Sequence, residues 1–296
     1  MPGGFWGCRT GQFCHPPFSP GKDGLRGSMD DLQFRRVLDF FGLSWKGYRR
    51  VRKGVKKRLA RYVQDRGFRR MEPFLSALDR DPGQRAEVEK LLSVSISRFF
   101  RDRNLWQAIE EYVFPALIAE ETQKIKVWSS GCARGEEAYT FKILWEKTRE
   151  RAGQMPGLAL WATDLNPEYL ARAQEGAYSA GSLKELPDEL RSKYLRPSPH
   201  QRFSVTDAVK EGVRWKVHHL CRDDPPAKNF CLILLRNNLL TYYQKGIRDP
   251  ALSRVIDSLT PGGFFIIGAH EKLPPGYPVL LPFSSHPSIY RKTPAP

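Results

Sequence analysis

Val127-Trp-Ser-Ser-Gly131-Cys-Ala-Arg-Gly135-Glu136-Glu137-Ala-Tyr139 is the stretch on which the fold of this chain turns. Ile125 to Ser129 reads as a strand and Glu136 to Glu150 as a helix, with two glycines four residues apart in the loop between them. Glycine lets a backbone approach a ligand closely, and the open N–H groups of such a loop meet its polar parts. The dinucleotide pattern G-x-G-x-x-G is absent, and no Gly-Lys-Ser/Thr follows to make a phosphate loop. Acids at the helix start, Glu136 and Glu137, repel a pyrophosphate and suit a cation. The ammonium and sulfonium groups of S-adenosylmethionine fit that description. On spacing alone, a purely structural strand–helix turn is the alternative.

Outward from this stretch the texture is consistent. Toward the C-terminus, Leu158 to Thr163 is a second strand closed by Asp164, whose carboxylate is placed to accept both hydroxyls of a ribose. Asn166 and Pro167 open a helix that runs to Glu175. Phe230 to Leu235 is a continuous apolar run, as for a central parallel strand. A helix from Ile247 to Leu259 stops at Pro261-Gly-Gly, and a strand from Phe264 follows. This alternation predicts a doubly wound, mostly parallel α/β sheet over 122–296.

Toward the N-terminus, Leu32, Phe34, Val37, Leu38 and Phe41 share one face, and Val51, Val55, Leu59 and Tyr62 share another. Further helices are expected at Met71–Leu78, at Gln84–Leu92 after the Asp81-Pro-Gly break, and at Leu105–Ala119, so 29–121 reads as a small all-helical domain. Residues 1–28 are rich in Gly, Pro, Phe and Cys without period and read as a flexible tail. Cys8, Cys14 and His15 lack the second ligand pair of a structural zinc site, so no metal is expected.

At 296 residues with 41% hydrophobic side chains and seven Trp, the chain has enough apolar surface for a packed core, which excludes a mainly disordered protein. Five scattered cysteines argue against a disulfide framework. No run reaches the roughly 18 apolar residues of a membrane span, and no apolar segment follows a basic start; the expected location is the cytoplasm. The net charge of +16 is localised, because Trp45 to Arg70 holds twelve basic residues against the single acid Asp65. A basic face of that kind implies an acidic partner.

With these segments in place the chain resembles the CheR chemoreceptor methyltransferases, which use S-adenosylmethionine to methylate receptor glutamates. Matching stretches are Ser95-Ile-Ser-Arg-Phe-Phe-Arg101-Asp, Trp128 to Tyr139, Ala162-Thr-Asp-Leu-Asn-Pro167, Gly176-Ala-Tyr-Ser, Leu235-Arg-Asn-Asn-Leu-Leu-Thr-Tyr242-Tyr, and Leu259-Thr-Pro-Gly-Gly-Phe-Phe-Ile-Ile-Gly-Ala-His-Glu271. They fall in the family's order over about residues 30 to 293.

The resemblance implies cofactor contacts at Ser95, Ser97, Arg101, Gly131, Gly135, Glu136, Asp164, His219, Leu220, Asn237 and Asn238, with Arg101 and Tyr242 holding cofactor and glutamate in line. It also implies that Arg49, Arg50, Arg52, Lys53, Lys56, Lys57, Arg58 and Arg61 steer an acidic receptor helix, that about 194–219 forms a small β insertion, and that the protein acts as a monomer. Three departures stand out: serines at 95 and 97 where the family has Asn and Thr, His218-His219-Leu220 where Asn-Leu is common, and one extra residue before Tyr242.

Two other readings stay open. A nucleic-acid methyltransferase would use the basic segment, and Asp223-Asp-Pro-Pro superficially resembles an amino-methylating motif; it lacks the stacking aromatic and precedes the Phe230 strand. A non-catalytic cofactor-binding protein is the other. Nucleic acid is not the expected partner.

Overall fold

The computed structural model describes residues 28–120, 123–284 and 286–294. The stretch read as a tail, with Cys8, Cys14 and His15, lies outside the described residues. Capping decides where the N-terminal helices begin. Asp30 accepts the Gln33 amide while the Gln33 side chain accepts the Asp30 amide, and this reciprocal box opens α1 (Asp31–Phe40). After α2 (Trp45–Tyr48), α3 (Arg52–Asp65) and α4 (Met71–Arg80), Asp81 caps α5 (Pro82–Leu92) with proline at its first turn. Phe34, Val37, Leu38, Val55, Leu59, Phe74, Leu78, Val88 and Leu92 close into one apolar core.

The next helical segment belongs elsewhere. α6 (Arg103–Ala108), a π-turn (Ile109–Val113) and α7 (Phe114–Ile118) complete the expected helical region. Their apolar residues, among them Leu105, Trp106, Ile109, Phe114 and Leu117, bury against the sheet. The expected 29–121 unit therefore divides, with its own core ending at Leu92. Helical periodicity reports that a face is buried and does not report against what.

Then come β1 (Lys124–Ser130), α8 (Glu136–Ala152), β2 (Gly157–Asp164), α9 (Pro167–Glu175) and β3 (Ala177–Ser179). α10 (Asp188–Tyr194), β4 (Leu195–Ser198), β5 (Arg202–Val205), α11 (Asp207–Lys210) and β6 (Val213–Val217) follow. The chain continues with β7 (Phe230–Leu235), α12 (Leu239–Tyr242), α13 (Lys245–Asp257), β8 (Leu259–Ile267), β9 (Leu280–Pro282) and β10 (Ile289–Lys292).

Seven strands order as β6-β2-β1-β7-β8-β10-β9. The first five are mutually parallel, and β10 pairs antiparallel with β8 and β9. The doubly wound α/β sheet is thus present. Its two faces are covered by alternate residues of the same strands. Val127, Leu160, Leu232, Leu234 and Phe264 pack with α8, whereas Trp128, Ile233, Leu235, Phe265 and Ile267 pack with α13. β8 begins at Leu259, before Pro261-Gly-Gly, and absorbs the extra residues in a register shift.

The small antiparallel sheet, ordered β3-β5-β4, opens at Ala177, earlier than the expected 194. At its other end, β6 joins the large sheet beside β2, so the insertion does not reach 219. A three-residue strand such as β3 is too short to carry a period.

Chain order reverses between β1 and β7, where an open α/β sheet leaves a crevice at its strand ends. The helical unit sits over that crevice. Ser44 N–H donates to the Tyr242 carbonyl at 2.7 Å and Gln244 N–H to the Gly42 carbonyl at 2.9 Å. No described helix is long and apolar enough to cross a membrane.

Candidate active site

The parallel strands β6, β2, β1 and β7 deliver their C-terminal ends to the crevice, and the loop after β1 forms its floor. Gly131 (φ +74°) turns the chain so that its own N–H and that of Cys132 both donate to the Thr163 carbonyl, at 2.8 and 2.9 Å. A side chain at Gly131 would begin 2.1 Å from Asn238 Nδ2. Gly135 (φ +90°) caps α8, and a Cβ there would come within 2.9 Å of Ala173 and Trp215. Gly135 does not line the crevice; its part is conformational.

Asp164 fastens the loop from the neighbouring strand. Its Oδ2 accepts Ala133 N–H and its Oδ1 accepts Asn166 N–H, both at 2.9 Å. Burial raises its carboxyl above the ordinary range, opposed by these amides. Glu136, 2% exposed, is raised by burial as well, while its own backbone amide and a hydrogen bond from Ser97 pull the other way. Its Oε2 is buried with no hydrogen-bond partner, as is Ser130 Oγ at the end of β1. An unpartnered buried carboxylate oxygen beside the loop is an acceptor in want of a cation.

Gly131, Asp164, His219, Leu220, Asn237, Asn238 and Tyr242 line the crevice directly. Arg101 reaches it through Asn237, whose Oδ1 lies 3.4 Å from an Arg101 nitrogen, and also donates to the Ile96 carbonyl. Ser97 donates to Glu136, which like Gly135 is not among the residues that line the crevice, and at position 95 the wall is made by the neighbours Ser93 and Val94. Burial raises the Tyr242 phenol above its ordinary value; the Arg101 charge opposes this and Glu271 adds to it.

The His219 side chain is turned to another partner. Its Nδ1 accepts Cys221 N–H at 3.2 Å, so Nε2 carries the proton and donates to Glu89 Oε1 at 2.8 Å. Arg222 donates to the same oxygen at 3.0 Å. Burial would raise Glu89, but His219 and Arg222 hold its carboxyl below the ordinary range.

Several residues outside the expected set shape the site. Arg236, 6% exposed, pairs with Asp102 at 2.7 Å and Glu137 at 3.0 Å and donates to the Arg101 carbonyl, fixing the corner where Phe100 and Asp102 take positive φ. Glu271 accepts the Asn237 and Gly268 amides, both at 2.8 Å, and the Thr241 hydroxyl. Both belong to motifs quoted above, where each is a charged residue just after an apolar strand. Tyr48, Glu89 and Leu92 come from the helical unit, and nothing local marks them.

Of the eight expected receptor-facing cations, three are spent within the protein. Arg52 and Lys56 pair with Asp31, at 3.4 and 2.7 Å, and Arg58 donates to the Leu91 and Ser93 carbonyls. Arg49, Arg50, Lys53, Lys57 and Arg61 are exposed.

The family model for the CheR methyltransferase SAM-binding domain matches residues 95–287. A chemotaxis protein methyltransferase of Listeria innocua is 30% identical over 246 residues, covering 82% of this chain and 90% of its own length. One of Borreliella burgdorferi is 26% identical over 226 residues, covering 74% and 80%. A TehB-like SAM-dependent methyltransferase structure from Corynebacterium glutamicum covers 65% of this chain and 96% of its own at 16% identity, with a TM-score of 0.36 that carries no weight here. With about two thirds of its length inside one family's model, and 30% identity to a relative over most of both chains, this chain belongs to the CheR methyltransferases, and its cofactor is S-adenosylmethionine.

Proposed function

We propose that the protein is a cytoplasmic, monomeric protein-glutamate O-methyltransferase acting on acidic methylation helices of chemoreceptors. One observation carries the reading. The basic segment is continuous with the active crevice, because Arg49 and Arg50 directly follow Tyr48, whose ring meets Tyr242 edge-on at 5.1 Å. An acidic helix drawn to those cations arrives at the crevice mouth. The relatives named as chemotaxis protein methyltransferases support the same target class.

S-adenosylmethionine supplies a methyl group on a cationic sulfur. The residues present suit it: the unpartnered Glu136 oxygen for its ammonium, Asp164 for its ribose, and the bare Gly131 backbone for close approach. A substrate glutamate is already ionised near neutrality, so no general base is needed. The protein's task is alignment and exclusion of water. Arg101 offers a guanidinium to the carboxylate, and the Tyr242 phenol, kept protonated by burial, offers a donor.

In the rival amino-methylating motif one carboxylate is already committed and the other aspartate is held by its backbone. Asp223 accepts His219 N–H, and the Asp224 carbonyl meets His218 Nε2. The test is to incubate the protein with labelled methyl donor, cytoplasmic receptor fragments and, separately, nucleic acid. Base-labile methyl esters mapping to receptor glutamates are expected. Label in nucleic acid alone would establish the rival activity, and cofactor binding without transfer to either would establish a non-catalytic protein.

A further inference from the structure

Glu89 is a buried carboxylate that methyl transfer itself does not use. It sits on α5, in the helical unit, yet lines the cofactor crevice. Its two partners lie some 130 residues away, in the turn after β6: His219 at 2.8 Å and Arg222 at 3.0 Å.

That turn is built to be rigid. His219 N–H donates to Asp223 Oδ2, the Arg222 and Asp223 amides return to the His219 carbonyl, and His219 Nδ1 takes the Cys221 amide. His218 N–H joins the turn to the Asp164 carbonyl at 3.0 Å, which places it beside the carboxylate that serves the ribose. Leu220 and His219 are thereby presented to the crevice.

We propose that Glu89 is a positioning residue of the cofactor site: by fixing His219 and Arg222 it sets the turn that walls the crevice next to Asp164, so that affinity for the cofactor depends on the seated helical unit. An ordinary ion pair between two packed units would contribute to stability alone. Here the accepting carboxylate is 9% exposed and faces the crevice, and one of its donors is a wall residue held in a single tautomer. Histidine is suited to this link, since its two ring nitrogens join Glu89 to the backbone of the turn.

The inference rests on cofactor binding and not on the receptor assignment, so its test uses S-adenosylhomocysteine and needs no receptor. Calorimetric affinity should fall at least tenfold in Glu89→Ala and comparably in His219→Ala, and the double variant should bind no worse than either single one. Nitrogen-15 spectra of the wild type should show His219 as the Nε2–H tautomer, with an Nε2–H resonance that shifts in Glu89→Ala because its acceptor is gone. If Glu89→Ala does not fold by circular dichroism, Glu89→Gln and Arg222→Met decide. Each should weaken binding about threefold or more, Gln keeping the bond from His219 while losing the charge for Arg222. Unchanged affinity in a folded Glu89 variant, losses that multiply in the double variant, or an unshifted His219 Nε2–H resonance would overturn the proposal.

Discussion

For Glu136, burial sets the pH response and, on the proposed ammonium contact, ties recognition to it. Burial raises its pKa, so the folded protein holds a proton there more tightly than the unfolded chain does. Keeping it ionised at neutral pH therefore costs stability, and the cost disappears as pH falls through the raised value. A bound ammonium reverses the preference, because it favours the carboxylate. Affinity for S-adenosylhomocysteine should thus weaken as pH falls from neutrality toward the ordinary carboxylate range, at a limiting slope of roughly tenfold per unit for one proton, and binding should release protons. Calorimetry in two buffers of different ionisation enthalpy reads the proton count directly. Glu136→Gln should bind at least tenfold more weakly at pH 7 and lose most of the pH dependence. A pH-independent wild type would remove Glu136 from the ammonium contact.

At the scale of the element, α3 separates structural from free charge. Lys53, Lys57 and Arg61 recur four apart, which aligns them on one face over about 12 Å. All three are exposed, whereas Arg52 and Lys56 are turned to Asp31 on α1. Reversing Lys53, Lys57 and Arg61 to Glu should cut kcat/KM for receptor methylation tenfold or more and flatten its dependence on salt. kcat at saturating receptor and affinity for the cofactor should stay close to wild type, because steering acts on encounter over roughly 8–10 Å of screening length. Steady-state kinetics at two ionic strengths test this, and an unchanged kcat/KM would exclude α3 as the docking element. Reversing Arg52 and Lys56 instead disturbs the α1–α3 pairing, so it is the poorer probe.

At the scale of the molecule, the seat between helical unit and sheet is drawn tight at one glycine. A Cβ on Gly47 would lie 2.2 Å from the Thr241 carbonyl oxygen, a backbone atom with no means of yielding alone. Gly47→Ala must therefore push α2 away from α12, at about 1–3 kcal/mol and a Tm loss of roughly 2–10 °C. Because Tyr48 and Glu89 travel with the helical unit, affinity for S-adenosylhomocysteine should fall in the same variant, and added ligand should restore part of the lost Tm. Scanning calorimetry with and without ligand checks both; a wild-type Tm would mean that the contact relaxes freely.

The sequence by itself determined the alternation of strand and helix, the glycine loop, the acids Glu136 and Asp164, and the concentration of charge after Trp45. These are local patterns: a period, a cap, or a spacing is written in consecutive residues and survives without knowledge of the rest of the chain. Tertiary structure alone decided which core takes Leu105 to Leu117, which cations of α3 are free, and that His219 pairs with Glu89 in the wall of the crevice. It also brought Arg236 under Arg101 from 135 residues away. Such partners are chosen by the crossing of chain at the β1–β7 switch and by the seating of the helical unit over it. Burial makes each pairing obligatory, since a buried charge without its partner is too costly to keep, but only the fold says who that partner is.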